Sequence, residues 1–302
     1  MLTINLLRNQ RERVITGLDK RNIDAAPLVD AIIELDDQRK ALITEQEQLL
    51  AERKTASKEI GKLMGQGKRD EAEAAKNRVG EMKERISALE EELSKNDEQL
   101  TEQLYALPNI PHESVKKGKG EDDNEIYRPF TGELPQLDET AKPHWEIAEQ
   151  YGIFDLELGV KITGSGFPVF RGQGARLQRG LIAYFLDQAS DAGFEEFQVP
   201  HMVNEDSARA TGQLPDKEGQ MYYMPVDDFY LIPTAEVPLT NIYRDVIVPE
   251  DDLPVKLCGH TPCFRREAGS YGAHVRGLNR VHQFDKVEIV QIAHPDKSYE
   301  VL

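Results

Sequence analysis

Between Leu28 and Leu107 the chain carries no proline, and apolar residues return every seventh position: Leu28, Leu35, Leu42, Leu49, Ala56 and Leu63, with Ile32 and Ile60 at the four-residue offset. A repeat of seven keeps one apolar seam facing one partner helix, and proline would break so long a helix. Gly61, Gly65 and Gly67 interrupt the series, which resumes as Val79, Ile86, Leu93, Leu100 and Leu107, with Met82 and Leu89 between. A heptad series that stops at glycines and restarts predicts an antiparallel helical hairpin with arms of about 28–62 and 69–107. Each arm of about 35 residues spans roughly 50 Å at about 1.5 Å per residue.

The distal half of this hairpin is basic. From Arg53 to Arg85 the residues Arg53, Lys54, Lys58, Lys62, Lys68, Arg69, Lys76, Arg78, Lys83 and Arg85 face six acids, a local balance of +4 in a chain of net charge −17. The overall charge argues against indiscriminate nucleic-acid binding, whereas a local patch can still meet phosphates. An ordinary solvated coiled-coil surface with paired charges is the other reading. A length of 302 residues allows two domains, and 39% hydrophobic with 30% charged residues describes a folded chain without a membrane-spanning run. The opening MLTINLLRNQRERV has no signal-peptide core, and two cysteines suit a reducing compartment, so a cytoplasmic protein is expected. Residues up to Pro27 read as a strand or short helix packed elsewhere.

The second informative stretch is KLCGHTPCFRREAGSYGAHVRGLNRVHQFDKVEIVQ, from Lys256 to Gln291. Thr261–Arg266 and Val281–Gln291 read as antiparallel strands around a long loop bearing Gly269, Ser270, Gly272, Gly277 and Asn279. Arg265 and Glu267 are two apart, and Phe284 and Glu288 four apart, so each pair shares a strand face. That wall offers a guanidinium suited to phosphate, two carboxylates and a ring able to stack a base. Cross-strand salt bridges on a solvated sheet remain the alternative at this point.

FRREAGSYG followed by RGLNRVHQFDKVE resembles motif 2 of the seryl-tRNA synthetases, a class II aminoacyl-tRNA synthetase family, and flanking segments extend the likeness over most of the chain. The resemblance implies an α+β fold, in which the hairpin precedes an antiparallel β-sheet domain flanked by helices. It implies that Arg265 holds the ATP α-phosphate, Glu267 meets the adenine amino group and Phe284 stacks on adenine, with Arg266 and Val281 in the same ATP site. Glu288 matches an acid at the serine pocket, where the resemblance also places Arg265. Arg266 departs from a small residue common at that position.

Other segments fit the same pattern. Leu107–Gln136, rich in Pro, Gly and charge, reads as a linker, so the expected domains are 1–107, a linker 108–136 and a catalytic region 137–302. Thr140–Leu158 begins with a helical pattern. Leu177, Leu181, Tyr184, Phe185 and Gln188 form one helical stripe, Gly193 ends that helix, and Phe194–Val199 alternates as a strand closed by Pro200. This unit resembles motif 1, which implies a homodimer. Phe229–Ile232 reads as a buried strand. Thr234, Ala235 and Glu236 follow it, either as a helix cap and first-turn acid or, by the resemblance, as the TAE segment lining the serine pocket.

The glycines of GQGARLQRG match neither a dinucleotide fingerprint nor a P-loop, so an ATP site here must be built on the sheet. Cys258, His260, Cys263 and His282 lack the spacing of a zinc site, and no metal site is expected.

The reaction implied is activation of L-serine by ATP, with Mg²⁺ bridging phosphate oxygens, then transfer to tRNA(Ser). Whether the selenocysteine tRNA is also charged is left open. The implied tRNA contacts are Arg53, Lys54, Lys58, Lys62, Lys68, Arg69, Lys76 and Arg78, with no role for DNA or membrane. Motif 3, with its second ATP-holding arginine, does not occur before Leu302. The expectation is therefore a fragment or an inactive paralogue that binds tRNA without activating serine. An amino-acid:carrier-protein ligase, a non-catalytic RNA-binding module and a purely structural coiled coil are the competing readings; the heptads count against the first and the motif 2 string against the last.

Overall fold

The computed structural model describes residues 2–268 and 276–302. Gly269, Ser270 and Gly272, expected as turn formers, lie outside the described residues. The chain divides into two compact units, Met1–Glu133 and Leu134–Leu302.

In the first unit, helices α1 (Ile4–Asn9) and α2 (Arg11–Asp19) precede the long helices α3 (Ala26–Gly65) and α4 (Arg69–Ala106). The opening residues, expected as a strand or one short helix, thus form two helices. The Thr3 hydroxyl caps α1 by accepting from the Leu6 N–H at 3.2 Å. Pro27 sits in the first turn of α3, where its missing N–H is not needed. Gly61, expected to break the helix, lies inside α3, and Gly65 is its last residue. Gly67, with φ of 77°, is where the chain reverses.

Ile32, Ala56, Met82, Ile86, Leu89 and Leu100 of the heptad series are buried. Leu42, Leu49, Leu63, Val79 and Leu93 are half-buried, because a two-helix seam covers each residue from one side only. At the base Leu7, Val14 and Leu18 of α1 and α2 close over Val29, Ile32, Leu100, Leu104 and Leu107.

A buried carboxylate crosses this base. Asp36 is 2% exposed and receives Arg8 Nη2 at 2.5 Å, Arg8 Nε at 2.8 Å and Lys40 Nζ at 2.7 Å. Residues 108–133 contain one regular turn, the 3₁₀ segment Glu121–Asp123.

The second unit begins with α5 (His144–Tyr151), β1 (Phe154–Asp155), α6 (Leu156–Ile162) and β2 (Val169–Phe170). It continues with α7 (Gln173–Asp191), β3 (Glu195–Glu196), β4 (Met202–Val203), α8 (Glu205–Ala210), β5 (Tyr222–Met224), β6 (Phe229–Leu231) and α9 (Glu236–Asn241). Two ten-residue strands, β7 (Val255–Phe264) and β8 (Gln283–Ile292), complete the sheet. They pair antiparallel from Val255↔Ile292 to Phe264↔Gln283, and β3 adds to β7 in parallel. A second sheet has the order β4-β6-β5 and is antiparallel. It joins β7 where the Phe264 N–H donates to the Ile232 carbonyl at 2.9 Å.

Several expected boundaries move. The first strand of the motif 2 stretch starts earlier, at Val255, and stops at Phe264 rather than Arg266. Gly259 is tolerated inside it because a Cβ there would meet the Phe197 carbonyl at 2.7 Å. The strand expected over Phe194–Val199 is regular only at Glu195–Glu196, although the Phe197 N–H still donates to the Cys258 carbonyl at 2.8 Å. The α7 stripe also differs. Gly174 and Ala189 are buried, while Leu177, Leu181, Tyr184 and Phe185 remain 58%, 47%, 56% and 51% exposed. Among the described residues no helix is long and apolar enough to cross a membrane.

Burial by itself would raise the Asp36 carboxyl, but hydrogen bonds from Lys40 and Arg8 outweigh it and hold its pKa below the ordinary range. The depressed carboxyl therefore contributes stability that is complete above the usual aspartate pKa and disappears as pH falls through the native value. Asp36→Asn should cost about 1–3 kcal/mol in urea unfolding at neutral pH. The difference from the unaltered protein should shrink as the acid range is entered.

Candidate active site

Residues paired across β7 and β8 point to the same side. The register therefore gathers Gly259, Thr261 and Cys263 with Glu288, Lys286 and Phe284 on one face. The Arg265 N–H donates to the His282 carbonyl at 2.9 Å, continuing the ladder one step beyond β7 and adding Arg265 to that face. His282 returns a bond from Nδ1 to the Arg265 carbonyl at 2.9 Å. The Arg265 guanidinium donates through Nε to the Pro233 carbonyl at 3.3 Å and lies 5.1 Å from the Phe284 ring centroid. Among the described residues its other N–H groups have no hydrogen-bond partner, which suits them to a bidentate anion.

Pro233 and Thr234 lead from β6 into α9. Thr234 is 5% exposed, and its hydroxyl donates to Glu288 Oε2 at 2.7 Å. The same oxygen accepts from the Glu236 N–H at 3.1 Å and from Lys286 Nζ at 2.8 Å. Lys286 also reaches Glu288 Oε2 at 2.5 Å. The cap position of α9 is Ala235 rather than Thr234, although the Thr234 hydroxyl supports the Glu236 N–H, and Thr234 also faces the Glu288 cluster. Ala235 is fully buried against Leu239 and Leu257, and Glu236 is exposed.

The other expected residues are distributed more widely. Glu267 does not continue the strand alternation, because it adopts a left-handed φ of 46°. Its half-buried carboxylate lies 3.4 Å from Arg280 Nη1. Arg266 is exposed, with its N–H on the Gln220 carbonyl at 2.9 Å. Burial raises the Tyr222 hydroxyl, with the Arg266 charge opposing it. Val281 is buried and, with Phe284 and Lys286, is among the residues lining an apolar groove. That groove, of about 910 Å³, also includes Leu177, Leu181, Phe185 and Ile289.

Past the undescribed segment, the chain returns against α5. The Leu278 N–H donates to His144 Nε2 at 2.8 Å, and the Arg276 guanidinium lies 5.0 Å from the Trp145 ring centroid. Gly277, with φ of 76°, fits there because a Cβ would run into His144.

Sequence reasoning misses Lys286. The available signal is its spacing, two residues from both Phe284 and Glu288 on one strand. Cys258 and Cys263 are buried, and burial raises both thiols, which makes them poor nucleophiles. His260 instead meets Asp285 Oδ1 at 2.8 Å on the opposite face, where Gln178 also bonds Asp285. Among the described residues no group of three or more His, Cys, Asp or Glu is placed to hold a metal ion.

On the hairpin, Lys68, Lys76, Arg78 and Arg85 pair with Glu71, Glu73, Glu52 and Glu45. Among the described residues, Arg53, Lys54, Lys58, Lys62, Arg69 and Lys83 form no ion pair. The paired-charge reading thus holds for part of the surface and leaves a cationic remainder.

An arginine held beside an aromatic ring on paired antiparallel strands, with an acid four residues further along, defines a class II synthetase core. Residues 224–302 accordingly match the family described as "tRNA synthetase class II core domain (G, H, P, S and T)". Residues 1–111 match "Seryl-tRNA synthetase N-terminal domain". The chain is 50% identical over 302 residues to a serine–tRNA ligase of Salinibacter ruber, covering all of this chain and 70% of that one. A serine–tRNA ligase of Delftia acidovorans is 45% identical over 315 aligned residues, with 100% of this chain and 72% of that one covered. The seryl-tRNA synthetase of Pyrococcus horikoshii, solved with ATP, superposes with a TM-score of 0.85 at 32% identity, over 100% of this chain and 71% of that one. The chain belongs to the seryl-tRNA synthetase family.

Proposed function

We propose that the protein activates L-serine with ATP and transfers the seryl group to tRNA(Ser). The observation that carries this reading is the single sheet face on which Arg265 and Phe284 lie beside the Thr234–Lys286–Glu288 cluster. Family membership supplies the reaction class. In the first step a serine carboxylate oxygen attacks the α-phosphorus of ATP and pyrophosphate leaves. In the second, a hydroxyl of the terminal tRNA ribose attacks the seryl carbonyl carbon and AMP leaves.

Arg265 neutralises the α-phosphate and the charge that builds on it in both steps. Phe284 stacks on adenine, Glu267 accepts from its amino group, and Arg266 lies at the nucleotide's edge. Val281 belongs to the same nucleotide site, next to Phe284 along the groove that both residues line. Thr234, Ala235, Glu236 and Glu288 form the serine pocket. A buried acceptor for the substrate hydroxyl rejects alanine, which would leave it unpaired. Mg²⁺ enters with the nucleotide as part of the substrate. This chain's residues supply position and charge rather than a covalent intermediate.

Residues 1–107 form the tRNA-gripping region, 108–136 the linker and 137–302 the catalytic region in this reading. A helical scaffold with a cationic surface suits an RNA helix read by shape and phosphate. The exposed Leu177, Leu181, Tyr184 and Phe185 of α7 support a homodimer through that helix. The place of action is the cytoplasm, where tRNA is charged.

Arg265→Ala in the full-length enzyme should lower serine-dependent ATP–pyrophosphate exchange by about 10²–10³-fold. Arg265→Lys should recover little of it, since a point charge lacks the planar fork. A near-normal lysine variant would reduce Arg265 to a structural tether on Pro233.

The hairpin gives a separate expectation. Replacing Lys58, Lys62 and Arg69 by Ala should weaken tRNA binding and reduce its log–log salt slope by about 0.7–0.9 for each phosphate that the variant no longer neutralises. Serine activation should survive the change. An unaltered affinity and slope would remove the hairpin from tRNA recognition.

A further inference from the structure

We infer that Lys286 is a positioning residue that sets the direction of the hydrogen bonds between Thr234 and Glu288 in the amino-acid pocket. The inference rests on the serine reading proposed above and concerns a residue outside the expected site.

The argument is one of donors and acceptors. A threonine hydroxyl has one proton and two lone pairs, and an ammonium group only donates. Lys286 Nζ donates to Thr234 Oγ1 at 2.8 Å, and the Glu236 N–H donates to the same oxygen at 3.1 Å. Both lone pairs are then occupied, so the hydroxyl can only donate, and its acceptor is Glu288 Oε2 at 2.7 Å. Lys286 gives a second proton to that carboxylate oxygen at 2.5 Å.

Glu288 Oε2 therefore receives two donors, while among the described residues Oε1 receives none. The carboxylate is clamped through one oxygen and presents the other as an acceptor. A ligand that brings a donor, such as the hydroxyl or ammonium of a β-hydroxy amino acid, complements it. Alanine brings no side-chain donor.

Without the ammonium, the Thr234 hydroxyl regains a lone pair and can accept from a ligand. Glu288 loses its charge-assisted clamp and its fixed rotamer. Lys286 acts in this way through Thr234 and Glu288, and its spacing on β8 beside Phe284 places it between the nucleotide and amino-acid halves of the face.

The test is steady-state ATP–pyrophosphate exchange with the full-length enzyme and Lys286→Met, which keeps the unbranched stem of the side chain and removes the charged ammonium. The KM for serine should rise about tenfold to a hundredfold, the range for losing hydrogen bonds from a charged group. The preference for serine over alanine should fall, and the KM for ATP and the melting temperature should stay within about twofold and a few degrees. Thr234→Val should raise the serine KM as well, and the double variant should be less impaired than the product of the two singles, because the residues act as one unit.

A serine KM that does not change, or one that rises in step with the ATP KM, would overturn the role. Multiplicative effects in the double variant would do the same. An unaltered enzyme that gives no serine-dependent exchange would overturn the serine reading itself, a result distinct from any difference between variants.

Discussion

The pairing of β7 with β8 is the constraint on which the catalytic unit depends. Side chains alternate between faces, so a slip of one residue would carry Phe284, Lys286 and Glu288 to the rear of the sheet. Three local features hold the register. His282 and Arg265 exchange bonds through backbone and imidazole just past the strand ends. Gly259 admits the Phe197 carbonyl, which locks β3 alongside β7. Pro262, with no N–H to offer, falls between the β3 pairing at Cys258 and the Phe264–Ile232 bond, where no donor is required on that edge.

The two faces of this ribbon have different chemistry because they pack against different neighbours. One faces β6 and the start of α9, where the polar groups Thr234, Lys286 and Glu288 satisfy one another. A buried hydroxyl without such partners would be costly. The other face runs along α7, where Val287 and Ile289 meet the helix across an apolar groove anchored by the Gln178–Asp285–His260 contacts. The first face is thus polar and internally bonded, and the second is largely apolar.

The helical unit separates its tasks along its length. Its base is closed by α1 and α2 and tied by the Arg8–Asp36–Lys40 cluster, so stability is concentrated there. Toward the reversal at Gly67 the seam narrows to small and half-buried residues, and cations that form no ion pair among the described residues increase. A long two-helix arm can carry such charge because the residues outside its seam remain in water.

The sequence by itself determined the helical hairpin, the two-strand motif and the roles open to Arg265, Phe284 and Glu288, since heptads and strand alternation are periodic and short-range. It also carried enough specific motif to indicate the family. The limits of β7, the burial of Asp36, the helical interior position of Gly61, the left-handed Glu267 and the Lys286 cluster were decided by the tertiary structure. Most of these depend on a partner distant in the chain: Phe197 for Gly259 within β7, Arg8 for Asp36, Arg280 for Glu267 and Thr234 for Lys286. The α7 stripe makes the same point from the other side, because periodicity reveals that a helix has an apolar face and only the packed sheet decides which part of it is covered.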